Sequence, residues 1–201
     1  RVLASAVASL GEVTIVAPDR EQSASSSSLT LHNPLRARKS RDGAWIVDGT
    51  PTDCVILGVN ELLPERPDIC VSGVNHGSNM GEDVLYSGTV AAAMESTVMG
   101  IPAVALSYCG QFPEEFEGCE SLVAAVLRSI LDGRSHPADT LFNVNLPAIP
   151  PAEVKGIRVT SLGRRRYADS ITRAKDPSGK EYFWIGGGVA TWRGPEESDF
   201  Q

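Results

Sequence analysis

Apolar residues along the chain fall into two alternating patterns, short continuous runs and helical spacings. The runs Val13-Thr-Ile-Val-Ala17, Ala44-Trp-Ile-Val-Asp48, Ile69-Cys-Val71, Ala103-Val-Ala-Leu-Ser107 and Leu141-Phe-Asn-Val-Asn-Leu146 read as strands. Ile69-Cys-Val71, bounded by Pro67 and Gly73, has the character of a strand buried on both faces. Between the runs the period changes. Val2, Leu3, Ala6, Val7 and Leu10 share one helical face before Gly11, and Val55, Ile56, Val59, Leu62 and Leu63 share another. Gly49-Thr-Pro-Thr-Asp53 starts the second of these helices, with Thr50 suited to the N-cap and Pro51 to the first helical position, and Pro64 and Pro67 stop it. Residues 89–99 predict an alanine-rich helix closed by Gly100. Leu122, Val123, Val126, Leu127, Ile130 and Leu131 make the clearest amphipathic helix, ended by Asp132-Gly133. This alternation predicts an α/β fold: three layers, α/β/α, around a mostly parallel, Rossmann-like sheet.

After Pro147 the alternation stops. Gly156-Ile-Arg-Val-Thr160 and Tyr182-Phe-Trp-Ile185 are strand-like with no amphipathic helix between them, which predicts a C-terminal antiparallel hairpin or arm. The expected organisation is an α/β core over residues 1–150 and a hairpin or arm extension over 151–201. Such an arm either pairs with a second subunit or stands solvated. The chain opens on a helix, whereas α/β domains of this kind open on a strand, so a strand is expected before Arg1.

The polar stretches sit where chemistry is expected. Between the strand at 69–71 and the helix at 89–99 lie Gly73, Gly77, Gly81, Gly88, Asn75 and Asn79. A loop with so many residues tolerant of positive φ can aim backbone N–H groups and neutral oxygens at one point, as phosphate or a cation requires. It carries no lysine for a P-loop and misses the G-x-G-x-x-G spacing. Ser87-Gly-Thr89 precedes the helix and serves as a structural cap, an anion site, or both. A serine-protease reading fails, because Ser87 lies in no G-x-S-x-G elbow. Asn and Ser oxygens suit Mg²⁺, Mn²⁺ or Ca²⁺ but rarely hold a divalent ion without carboxylates. Glu82 and Asp83 are available for that, although solvated charges ahead of the helix are the plainer reading. His76, His32 and His136 read as loop residues. The serine-dense residues 21–31 have the composition of a linker, but they follow a strand's C-terminal end, where ligands bind in open α/β sheets. Arg36, Arg38, Lys39 and Arg41 read as a solvated edge.

Composition narrows the partners. At 201 residues the chain is one large domain, or a domain with an extension, and needs no disulfide staple. A net charge of −7 with 18 Lys and Arg argues against duplex nucleic acid. Small phosphorylated ligands stay open. Cys54, Cys70, Cys109 and Cys119 form no C-x-x-C pair and read as structural thiols of a reducing compartment. No signal peptide or membrane-length apolar run occurs, so a cytoplasmic protein with no membrane partner is expected.

Taken together, Ala17-Pro-Asp-Arg-Glu-Gln-Ser-Ala-Ser-Ser-Ser-Ser-Leu-Thr-Leu31, Gly49-Thr-Pro-Thr-Asp-Cys54, Pro67-Asp-Ile-Cys-Val-Ser-Gly-Val-Asn-His-Gly-Ser-Asn-Met-Gly81 and Tyr86-Ser-Gly-Thr-Val-Ala-Ala-Ala-Met-Glu95 resemble successive signatures of the SurE survival-protein family. Phe142-Asn-Val-Asn-Leu-Pro147, Lys155-Gly-Ile-Arg-Val-Thr160, Asp176-Pro177, Tyr182-Phe-Trp184 and Ser198-Asp-Phe200 follow in the same order, so the resemblance covers nearly the whole chain. It implies a metal-dependent phosphomonoesterase that hydrolyses nucleoside 5′- and 3′-monophosphates, with some action on short polyphosphate. It also implies one divalent ion per subunit, Mg²⁺ or Mn²⁺, and assembly as a homodimer or homotetramer. The metal ligands it carries over are Ser23 and Asn75, which are also the catalytic residues expected here, and two adjacent aspartates are expected upstream of Arg1. Asn79, Ser87, Gly88 and Thr89 are the expected phosphate-binding residues. The general acid and base work falls to the expected aspartates. The alternative from another class is a non-catalytic nucleotide- or anion-binding oligomeric module.

Overall fold

The computed structural model describes residues 2–110, 116, 118–132, 139–167, 171–186 and 190–200, so His136 lies outside the described residues. The chain divides into two compact units: Arg1–Asn79 with Val84–Ile157, and Met80–Asp83 with Arg158–Gln201.

The first unit is organised by three parallel strands, β4 (Cys70–His76), β5 (Ala103–Tyr108) and β6 (Leu141–Leu146), in the order β4-β5-β6. All six residues of β5 are buried. Its side chains alternate between two cores. Val104, Leu106 and Tyr108 pack with Ala6 of α1 (Val2–Ala8) and with Val123, Val126 and Leu127 of α4 (Glu120–Asp132). Ala103 and Ala105 pack with Val90 and Ala93 of α3 (Gly88–Val98). One strand therefore feeds both helical layers, and the alanines of α3 let that helix lie close to the sheet. The expected α/β fold with mostly parallel strands is what the chain adopts.

A second sheet joins β1 (Val16–Pro18), β3 (Trp45–Val47) and β2 (Ala37–Lys39), with β1 and β3 parallel and β2 and β3 antiparallel. The expected strand at 13–17 thus begins later, although the Ile15 carbonyl still accepts from Trp45 N at 2.8 Å. The basic residues 36–41 do lie along an edge strand, where Lys39 Nζ stands 4.9 Å from the Trp45 ring. Helix α2 (Pro51–Leu57) starts as its sequence demands: Thr50 accepts from Asp53 N, Asp53 reaches back to Thr50 N, and Pro51 occupies the first turn. It then widens into a π turn over Gly58–Leu62, with Leu63 N donating to Gly58 O at 3.0 Å. Helix α3 ends at Val98 with Met99 as its C-cap, and Gly100 follows at φ +74°. Leu131, assigned to the buried face of α4, is 43% exposed, one residue before that helix ends.

In the second unit, β7 (Arg164–Tyr167) pairs antiparallel with β10 (Ala190–Arg193), and β8 (Ile171–Lys175) with β9 (Glu181–Ile185). The hairpin partner of Tyr182-Phe-Trp-Ile185 is therefore β8. Residues 156–160 form no strand; Ile157 and Val159 alternate correctly but stay 63% and 92% exposed, with no ladder to join. The turn selects the real hairpin. Asp176 Oδ1 accepts from Ser178 N and Lys180 N, both at 2.9 Å, and Gly179 takes φ +82°. Glu82 and Asp83, read as solvated, are both engaged. Glu82 Oε2 accepts from Arg165 N, Asp83 pairs with the Arg165 guanidinium, and that guanidinium lies 4.7 Å from the Trp192 ring centre. Asp199 accepts from Gly81 N and Gly163 N, each at 2.8 Å.

All four cysteines are free. Burial, with the charges of Asp53 and Asp19 adding to it, pushes the Cys54 thiol up to about 12, so it stays a protonated core residue. Among the described residues no helix is long and apolar enough to cross a membrane.

Candidate metal and phosphate site

Three polar segments of the first unit leave strand ends or open helices, and their hydrogen bonds decide what each can do. Asn75 is the penultimate residue of β4, in register with Ser107 of β5. Gly77 N donates to Tyr108 O at 2.9 Å, and Gly77 holds φ +92°, which turns the chain back over the strand end. The Asn75 Nδ2 group donates to His76 O at 3.2 Å and Gly77 O at 2.9 Å. Both amide protons are thus spent locally, and the side chain presents Oδ1 as its free face. A carbonyl oxygen held this way is a hard, pre-oriented ligand for a cation and an acceptor for a polarised O–H. His76 itself is exposed.

Asn79, expected to bind phosphate, is only 5% exposed and faces inward. Its Nδ2 donates to Ser107 Oγ at 2.7 Å. Its backbone is grasped by two asparagines of β6: Asn79 N donates to Asn145 Oδ1 at 2.8 Å, and Asn79 O accepts from Asn145 Nδ2 at 3.1 Å and Asn143 Nδ2 at 2.8 Å. One primary amide therefore satisfies both backbone groups of one residue, as a neighbouring strand would. In this geometry Asn79 anchors the loop from inside. The Asn-x-Asn spacing in Phe142-Asn-Val-Asn-Leu-Pro147 is the signal that could have found it, because two polar side chains on one face of a half-buried strand need partners.

Helix α3 opens with Ser87 at the N-cap, φ −77° and ψ 121°, whose Oγ accepts from Val90 N at 3.2 Å. The Ser87 hydroxyl is thus a structural cap, and the anion-binding capacity of this helix start falls on the first-turn amides of Gly88 and Thr89. Gly88 is buried because the serine loop lies on it: a Cβ there would stand 2.6 Å from Ser25 Oγ and 3.0 Å from Pro51 Cγ.

Residues 21–31 are a tied loop and no linker. Two turns fold it, Ser25 N to Gln22 O and Ser28 N to Ser25 O, each at 3.3 Å, with Ala24 and Ser26 at φ 57° and 51°. Ser26 docks on the approach to α3, its N donating to Tyr86 O at 3.2 Å and its Oγ to Leu85 O at 2.7 Å. Thr50 Oγ1 donates to Ser28 O at 2.8 Å. Asp53 accepts from Thr30 N at 3.0 Å and Thr30 Oγ1 at 2.6 Å. Ser25 Oγ is buried with no hydrogen-bond partner. Ser23 is exposed, its Oγ donating to Glu21 Oε1 at 2.7 Å, so its oxygen lone pairs stay available.

The structure thus brings the serine loop together with Ser87, Gly88 and the start of α2. No hydrogen bond joins Ser23 to Asn75. Among the described residues there is no group of three His, Cys, Asp or Glu side chains able to hold a metal. Ser23 Oγ and Asn75 Oδ1 have the hard neutral-oxygen chemistry of Mg²⁺ or Mn²⁺ ligands and fit such an ion as part of a set that carboxylates complete.

Comparison with known proteins places these residues in a family. A family model described as Survival protein SurE matches residues 1–169. The 5′-nucleotidase SurE of Gemmatimonas aurantiaca is 56% identical over 204 residues, covering 100% of this chain and 81% of that protein. The 5′-nucleotidase SurE of Pelobacter propionicus is 49% identical over 205 residues, with the same two coverages, 100% and 81%. The crystal structure of the SurE protein from Aquifex aeolicus superposes with a TM-score of 0.84 at 40% identity, covering 99% of this chain and 81% of that one.

Two predictions come from the loop contacts. Gly88→Ala is expected to destabilise the chain by about 1–3 kcal/mol through overpacking, and Ser25→Ala in the same chain to recover part of that; urea unfolding of the double-mutant cycle measures both. Burial opposes ionisation of Asp53, but the bonds from Thr30 and Thr50 outweigh it and lower its pKa below the usual 3.8. A carboxylate with a depressed folded pKa adds stability above its unfolded value and loses it as pH falls through the folded one. The unfolding free energy of the chain should therefore drop below about pH 3.8, and Asp53→Asn should flatten that part of the profile.

Proposed function

This chain belongs to the SurE survival-protein family, and on that premise we propose that it is a 5′-nucleotidase whose phosphate and metal groups are those assembled at the ends of β1 and β4 and the start of α3. The substrate is a nucleoside monophosphate, cleaved to nucleoside and inorganic phosphate. The finer reading takes in 3′-monophosphates and short polyphosphate, which present the same terminal phosphoryl group. The observation that carries the proposal is the docking of the serine loop on Leu85, Tyr86 and Gly88, because it brings a candidate cation ligand and a helix N-terminus onto one face.

The residues divide the work by chemistry. Asn75 Oδ1 and Ser23 Oγ are the neutral oxygens that would hold one divalent cation, Mg²⁺ or Mn²⁺, together with the paired aspartates the family resemblance implies. Such a cation supplies positive charge for the phosphoryl oxygens and lowers the pKa of water toward neutrality. The first-turn amides of α3 at Gly88 and Thr89, left open while Ser87 Oγ caps Val90 N, offer oriented donors to the phosphate oxygens, where charge grows in the transition state. Asn79, clasped by Asn143 and Asn145, fixes the chain four residues beyond Asn75.

The same reading covers partners and location. The expected homodimer or homotetramer would cover apolar surface that β9 exposes, with Phe183 54%, Trp184 66% and Ile185 87% accessible. The four free thiols suit a reducing compartment, and the cytoplasm is the proposed location. Asn75→Ala is expected to lower metal-dependent phosphate release from a nucleoside monophosphate by about 10²-fold or more, the scale of losing an oriented polar group at a reacting centre. Near-normal release by that variant would rule the assignment out.

A further inference from the structure

The serine loop has almost no hydrophobic anchorage of its own. Leu29 is 44% and Leu31 77% exposed, so apolar burial does not order residues 21–31 and hydrogen bonds must. On one side Ser26 holds Leu85 and Tyr86. On the other side a single buried carboxylate holds the loop's C-terminal end.

Asp53 is 3% exposed, and three donors converge on its two oxygens: Thr30 N on Oδ1, and Thr30 Oγ1 and Thr50 N on Oδ2. The bond to Thr50 N belongs to the capping box of α2 and needs no further explanation. The two bonds to Thr30, a residue 23 positions upstream, are not part of helix capping. A carboxylate suits this place because it accepts at every lone pair; an amide would turn N–H groups toward donors. The position is also boxed in. A Cβ on Gly49 would stand 2.7 Å from Asp53 Oδ2 and 2.8 Å from Leu35 Cδ2, so the absence of a side chain there is what leaves room for the carboxylate. Between Thr30 and Ser23 the chain has little slack, since the turns at 22–25 and 25–28 and the bond from Thr50 Oγ1 to Ser28 O fix the intervening residues.

We propose that Asp53 is a positioning residue of the nucleotidase site: by holding Thr30 it sets the serine loop, and with it Ser23 for the cation and residues 25–26 against the start of α3. The inference rests on the reading of Ser23 as a metal ligand. Asp53 touches neither cation nor substrate and acts only through the loop. A residue with that role alters metal affinity and substrate affinity together, whereas a residue that merely caps α2 alters stability alone.

The test uses the full-length protein, including whatever precedes Arg1, with Thr30→Val, which removes the hydroxyl but leaves the capping box intact, and with Asp53→Asn. Mn²⁺ binding is titrated by electron paramagnetic resonance, beside KM and kcat for a nucleoside monophosphate and the thermal unfolding midpoint. Both variants are expected to bind Mn²⁺ about 10-fold or more weakly, the scale for losing a partner that orients a ligand. KM should rise, with the smaller change in kcat at saturating Mn²⁺. Thr30→Ser, which keeps the donor, should restore Mn²⁺ affinity. Unchanged Mn²⁺ affinity in Thr30→Val, with a lowered midpoint or without one, overturns the proposal whether or not Asp53→Asn folds. Absence of Mn²⁺ binding by the unsubstituted full-length protein overturns the metal reading, and this inference falls with it.

Discussion

Strand β5 has no solvent-facing side. Its six residues are all buried: Val104, Leu106 and Tyr108 pack with α1 and α4, Ala103 and Ala105 with α3, and Ser107 takes the hydrogen bond from Asn79. A strand in that position can be satisfied only by neighbours on both edges, and β4 and β6 supply them in parallel, so all three release their chains at the same edge of the sheet. That constraint places Asn75 at the end of β4, Ser107 near the end of β5 and Asn145 near the end of β6 in one row of register. The polar loop chemistry is possible because the apolar core underneath it leaves no other place for these side chains to go.

Above that row, hydrogen bonds take over from apolar packing. Asn79 is clasped through its backbone by two asparagine amides, and the serine loop hangs on a carboxylate, a threonine and two carbonyls. Each such bond contributes only about 0.5–1.5 kcal/mol, or about 1.5–3 when one partner is charged. The charged anchor at Asp53 is therefore the strongest single hold on the loop. A loop held this way is oriented without being covered, which suits groups that must meet a cation and a phosphate from solvent.

Much of this was legible in the chain, and the exceptions share a cause. The strand at 141–146, the Thr50 cap with Pro51, and the alanine helix closed by Gly100 follow from residue type and local period, and each is found where the pattern puts it. The contacts that the sequence did not reveal have partners far along the chain. Glu82 and Asp83 looked solvated because Arg165 lies more than 80 residues away, at separations of 83 and 82. The clasp on Asn79 was not legible because its partners on β6 are 64 and 66 residues off. Residues 156–160 carry a strand's alternation but no partner, while the Asp176 turn, a local feature, chose β8 for β9 instead. The serine loop shows the same division: its composition says linker, and only its ties to Asp53, Thr50 and residues 85–86 hold it in place.

The central claim is that oxygens at the ends of β1 and β4 serve a divalent cation on which phosphate release depends. The direct measurement is phosphate release from a panel of nucleoside monophosphates by the full-length protein, after chelation and again after Mg²⁺ or Mn²⁺ is returned. Loss of release on chelation and its recovery with either ion is the result expected. Release that continues undiminished in chelator would contradict the account.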